Sequence, residues 1–131
     1  MFFQPELNGP AVKLNLDTHI LIYLLDDTLN PREHQLVVQQ PLVIFDIVLW
    51  KLAKLVQLGR ITLDLGSPAF QTCLQQLTVI PISVDIARTS TQLDFRSDPA
   101  DELIAATSIV TGTPLLTHDH KILGSQLVPF A

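Results

Sequence analysis

A chain of 131 residues with 47% hydrophobic and 16% charged side chains is too apolar to stay disordered and long enough to bury a core. Its single cysteine, Cys73, excludes a disulfide framework and a cysteine-built zinc site, and reads as a small buried thiol in a helical stretch. The net charge of −5 argues against tight, non-specific binding to nucleic acid, although clustered functional acids contribute to that sum.

Residues 1–11 carry Pro5, Gly9 and Pro10 and read as a polar tail outside the core. They hold no basic region followed by a long apolar run, so neither a signal peptide nor a membrane anchor is expected, and a cytoplasmic location follows. Residues 12–131 contain no repeat and no linker, and read as one domain. Val12, Leu14 and Leu16 alternate with Lys13 and Asn15 as in a short strand. Asp17 follows, and Ile20, Leu21, Leu24 and Leu25 then recur at helical spacing. A second helix starts at Pro31 and ends before Pro41.

Residues 42–45 form an unbroken apolar run, as in a strand covered on both faces. Asp46 reads as the N-cap of a helix that Gly59 closes. Trp50, on that helix, is expected in the core. Residues 60–66 form a connector with a short extended segment. Ser67-Pro68 opens a further helix, and residues 78–84 make a third strand that Pro81 places at an edge. Asp85 caps a helix to about Leu93. Asp98-Pro99 opens another that runs to Gly112, and residues 114–117 form a fourth strand before His118, Asp119 and His120. The order is that of an α/β fold with a mostly parallel sheet and helices on both faces.

Ligands of such sheets bind at the carboxyl ends of the strands. If strands one and four are neighbours, Asp17 and Asp119 converge there, and Asp101 lies in the first turn of a late helix. Each has a plain alternative: Asp17 as a helix cap, Asp101 in a reciprocal cap with Asp98, Asp119 as a strand terminator. Converging carboxylates without bases repel, and the usual compensator is Mg²⁺ or Mn²⁺, which activates water for phosphodiester cleavage. Thr117 shares a strand face with Asp119 and can orient a ligand or water. Ala105 and Ala106 give the late helix a small face for close approach. His118 and His120 flank Asp119 but lack a third ligand, and read as surface residues; His19 and His34 are solitary.

The runs LNLDTHILIYLLDD (14–27), IVLWKLAKLVQLGRI (47–61) and RSDPADELIAATSIVTGTPLLTHDHKI (96–122) resemble the PIN-domain ribonucleases, and within them the VapC-type toxins of toxin–antitoxin pairs. The resemblance covers about residues 12–123. It implies a PIN-like three-layer α/β/α fold with four to five strands, and a metal-dependent endoribonuclease acting on RNA. It places Asp17, Asp101 and Asp119 on catalytic and metal-binding positions for Mg²⁺ or Mn²⁺, with Thr18 and Thr117 as water-orienting neighbours. Lys54, Arg60 and Arg96 are candidate phosphate contacts, with solvated surface charge as the plain alternative. An antitoxin protein and a homodimer are the implied partners, and the mean hydropathy of +0.35 agrees with a buried partner surface.

Four positions depart from the family pattern, one of them Asn15, which interrupts a first strand that is normally more apolar. Where the family carries a glutamate after Leu49-Trp50, this chain has Lys51, and small hydroxyl residues before that tryptophan are here Phe45 and Val48. An ammonium about 5 Å from a divalent ion opposes it by roughly 6 kcal/mol at an effective dielectric near 20. Lys51 therefore either swings outward, leaving a weakened three-carboxylate site, or pairs with one of the aspartates and replaces the metal. Asp46 is a candidate substitute acid. A catalytically inactive PIN-like domain that binds RNA or a protein is the alternative function. A phospho-receiver domain is disfavoured, because a single Asp17 followed by Thr18 lacks the acid pair such domains carry.

Overall fold

In a computed structural model, residues 13–131 are described; the expected tail at 1–11 and the strand start at Val12 lie outside them. Four strands form one sheet: β1 (Leu14–Leu16), β2 (Leu42–Phe45), β3 (Leu77–Ile80) and β4 (Leu115–Leu116). Their order is β3-β2-β1-β4 and every pairing is parallel, so β1 and β4 are neighbours, with Asn15 opposite Leu115. The helices are α1 (Thr18–Leu25), α2 (Pro31–Gln39), α3 (Ile47–Gln57), α4 (Pro68–Gln75), α5 (Val84–Ser90), α6 (Pro99–Thr111) and α7 (His120–Leu123). None is long and apolar enough to cross a membrane.

The central strands are apolar on both faces because helices cover both. Leu14 and Leu16 of β1 and Ile44 of β2 are fully buried with Ile20, Leu21, Leu52 and Ile104 from the helices. Asn15 sits among them with no exposure. Its Nδ2 donates to Ser108 Oγ at 2.9 Å, which ties β1 to α6, while its Oδ1 has no partner among the described residues. Ala105 and Ala106 are fully buried on α6 and provide the expected small face. Helix α6 ends where Gly112 takes φ of 66°, a conformation that an L side chain strains to adopt.

Several local expectations need correction. The third strand stops at Ile80, ahead of Pro81, and the connector at 60–66 adds no strand. Ser83, not Asp85, caps α5: its Oγ accepts from Ile86 N–H at 3.1 Å, while Asp85 lies in the first turn, where the dipole favours an acid. Asp46 precedes α3 with helical dihedrals and makes no cap. Its Oδ2 accepts from Ile82 N–H at 3.1 Å and so pins the segment after β3. Trp50 is 53% exposed and therefore not a core residue. Cys73 is half-buried, and burial pushes its thiol above the ordinary value.

The chain end is held by Asp94, which accepts from Ser125 Oγ at 2.6 Å and Gln126 N–H at 2.7 Å. The Ser125 hydroxyl first, and then the Gln126 amide, hold this carboxyl below its usual 3.8. A depressed acid contributes stability above its unfolded pKa and loses it as pH falls through the folded one. Asp94→Asn is therefore expected to flatten the acid limb of the stability curve below about pH 4, as read by chemical denaturation at several pH values.

Candidate carboxylate site at the carboxyl edge of the sheet

The chain leaves β1 at Asp17, which is 5% exposed and caps α1. Its Oδ1 accepts from Thr18 N–H at 2.8 Å and its Oδ2 from the Thr117 hydroxyl at 2.6 Å. The second contact lies at the short end of the range for a hydroxyl on a carboxylate oxygen. Thr117 Oγ1 in turn accepts from Asp119 N–H at 3.0 Å, so one hydroxyl links the ends of β1 and β4. Thr18 behaves differently from the expectation: its hydroxyl is fully buried without a partner among the described residues, and only its backbone touches Asp17.

Asp101 reaches the same place from α6. It is not in a reciprocal cap, since Asp98 accepts from Ala100 N–H at 3.2 Å on its own. Lys51 Nζ, from α3, donates to Asp101 Oδ1 at 2.7 Å, and the two side chains are 15% and 13% exposed. Ser97 Oγ lies 3.5 Å from the other carboxylate oxygen. Burial alone would lower the Lys51 pKa, but the hydrogen bond to and charge of Asp101, followed by the charges of Asp17 and Asp98, carry it above the ordinary 10.5. Burial, the largest influence, raises the Asp101 carboxyl, the hydrogen bond to and charge of Lys51 lower it, and with Asp17 and Asp98 adding to the rise it stands above its ordinary 3.8. The ammonium's shift follows from the pair geometry; the carboxyl's follows from its desolvation among other acids.

Asp119 caps α7, accepting from Lys121 N–H at 2.8 Å, and also faces the site. Asp17, Lys51, Asp101 and Asp119 line one cavity of about 200 Å³, together with His19, Tyr23 and His118. Asp101, His118 and Asp119 also border a wider cavity of about 430 Å³, which His120 and Lys121 complete.

The other predicted contacts are placed elsewhere. Lys54 is exposed one turn along α3, with its Nζ 2.9 Å from Gln57 Oε1 and 5.8 Å from the Trp50 ring centroid. Arg60 lines a separate cavity with Ile22 and Asp26, and Arg96 another with Phe95 and Glu102. Asp46 lines neither carboxylate cavity.

Glu33 went unnoticed in the sequence. It is 4% exposed, closes a capping box with Asn30, and its other oxygen meets His118 Nε2. The Asn30-x-x-Glu33 spacing marks the cap, but nothing local signals a partner at position 118. The Tyr23 ring lies 5.5 Å from that of His118, which fixes the histidine on one wall.

The donor set tests poorly for a divalent cation. Among the described residues, no group of three His, Cys, Asp or Glu side chains is disposed to hold a metal. The Asp101 oxygen carries the Lys51 ammonium, whose charge opposes a divalent cation in the cavity that Asp17 and Asp119 also line. With Lys51 in place, the residues do not fit Mg²⁺ or Mn²⁺.

The PIN-domain family model matches residues 15–123. No curated protein matches the sequence. Among solved structures, a toxin–antitoxin complex from Klebsiella pneumoniae is similar at 23% identity and TM-score 0.65, over 85% of this chain and 90% of that one. VapBC2 from Rickettsia felis, bound to a promoter DNA fragment, is similar at 18% identity and TM-score 0.70, over 91% and 97%. FitAcB from Neisseria gonorrhoeae aligns at 17% identity and TM-score 0.65, over 90% and 96%. At these identities the likeness speaks for the fold.

Proposed function

The chain belongs to the PIN-domain family, and we propose that it serves there as an RNA- and protein-binding module whose metal-dependent ribonuclease chemistry is suppressed. The observation that carries this is the Lys51–Asp101 ion pair at 2.7 Å, in the cavity that Asp17 and Asp119 also line. A lysine cannot replace a glutamate as a metal ligand, and its charge opposes the ion. RNA remains the ligand class. The wider cavity beside the pair carries His118, His120 and Lys121 along with Asp98, Asp101 and Asp119, and Lys54 lies beside an exposed tryptophan on α3. Ammonium groups for phosphates next to an aromatic face for a base are the ingredients of single-strand binding.

A second reading, a weak ribonuclease of the VapC type, is favoured by one observation: Asp17, Asp101 and Asp119 do share a cavity. End-labelled single-stranded RNA incubated with the chain in Mg²⁺, in Mn²⁺ and in EDTA separates the two. The proposal expects RNA bound but uncut in all three. Trp50 is the sole tryptophan and half exposed, so its fluorescence reports binding on the α3 face. Cleavage that depends on metal would install the second reading; absence of both binding and cleavage would leave only a protein partner.

The partners proposed are an antitoxin and a second copy of the chain. The Klebsiella, Rickettsia and Neisseria structures are similar in fold, and the first is a toxin–antitoxin complex by its own description. Trp50 at 53%, Leu58 at 64% and Val84 at 74% exposure supply apolar surface for such contacts. Light scattering is expected to give a dimer; a monomer at high concentration would remove that part.

A further inference from the structure

The geometry points to Lys51 as the resident cation of this carboxylate cluster, a tethered ammonium without which Asp17, Asp101 and Asp119 become a divalent-cation site. The inference rests on the reading above, and adds that one side chain holds the site closed. Asp17 is oriented by the Thr18 amide and the Thr117 hydroxyl, and Asp119 by the first amides of α7. Neither arrangement involves Lys51, so both persist when it is removed. Asp101 alone takes the ammonium, with Ser97 as its one further and longer contact.

Charge balance leads to the same place. Among the described residues, Asp17, Asp101 and Asp119 line the 200 Å³ cavity with Lys51 as its one Lys or Arg side chain, and His19, Tyr23 and His118 complete the lining. Taking that charge away leaves carboxylates that repel one another, and the remedy available from solution is a hard cation with oxygen ligands and waters. The long flexible stem of lysine lets a residue on α3 reach an acid on α6 that a shorter side chain would miss.

The test is Mn²⁺ binding, followed by electron paramagnetic resonance of the free ion, to the full chain, Lys51→Gln and Lys51→Arg. Gln keeps a polar end and loses the charge; Arg keeps the charge. Lys51→Gln is expected to bind Mn²⁺ at least about tenfold tighter than the unaltered chain, the repulsion of a unit charge on a divalent ion about 5 Å away even at the dielectric of water. Lys51→Arg should bind as weakly as the unaltered chain, and adding Asp101→Asn to Lys51→Gln should remove the gain. Equal affinity of the unaltered chain and Lys51→Gln would overturn the inference, as would a Gln variant that binds no metal. Should Lys51→Gln unfold in EDTA, recovery of helical circular dichroism on adding Mn²⁺ reads the same binding, and no recovery overturns it. These affinities stand apart from RNA cleavage by the unaltered chain, so the proposed function and this inference fail separately.

Discussion

Lys51→Ala, measured by urea unfolding in EDTA at pH 7, is expected to lower stability by about 3 kcal/mol, at the low end of the cost of removing one partner from a shielded pair. The cost arises because Asp101, 13% exposed, is left facing Asp17 and Asp98 without a cation. The pH dependence follows from the signs. Lys51 has a raised folded pKa, so its contribution is whole below the unfolded value of 10.5 and is lost as pH rises through the folded one. Asp101 also has a raised folded pKa, so its ionisation works against folding, and this penalty disappears as pH falls through that value. The alanine variant should therefore be less impaired near pH 5 than at pH 7. A variant as stable as the original at neutral pH would mean that the pair contributes nothing.

Phe45→Ser is expected to cost about 3–5 kcal/mol, the range for truncating a buried aromatic side chain to a small one. Phe45 ends β2 with 1% exposure and packs in the same core as Val48 and Leu52. A small hydroxyl there leaves a cavity in place of a ring, and chemical denaturation reads the loss directly. These two of the departures from the family pattern thus differ in kind. Lys51 meets its neighbours through one ion pair, whereas Phe45 is built into the core. Restoring the family's residues at both positions should destabilise the chain far more than restoring Lys51→Glu alone.

Much of the framework is legible in the sequence. Short apolar runs ending in an acid or a threonine mark the carboxyl edge, and Pro81 marks β3 as the outer strand. The adjacency of β1 and β4, which brings Asp17 to Thr117, stands only as a condition in the sequence, because a parallel sheet alone does not set strand order. Helix α3 is harder. Its apolar residues occupy too many positions to define one face, so periodicity alone could not tell that Val48 and Leu52 are buried while Trp50 faces water. Asp85 is the expected cap of α5, and the burial of Ile86 goes with the register in which Ser83 caps instead. Contacts between distant residues had no local signal: Glu33 with His118, Asp46 with the Ile82 amide, and which of three acids takes Lys51.

The ammonium of Lys51 can be observed directly by nitrogen-15 NMR of the unaltered chain, at neutral pH, as Mg²⁺ is raised from zero to 10 mM. An Nζ held on Asp101 should give a slowly exchanging ammonium signal, distinct from those of the exposed lysines, that does not move with Mg²⁺. The Asp101 side-chain carbon should be equally indifferent to the ion. An ammonium signal that merges with those of exposed lysines while the Asp101 carbon shifts with Mg²⁺ would contradict the account, because the metal would then have displaced the lysine.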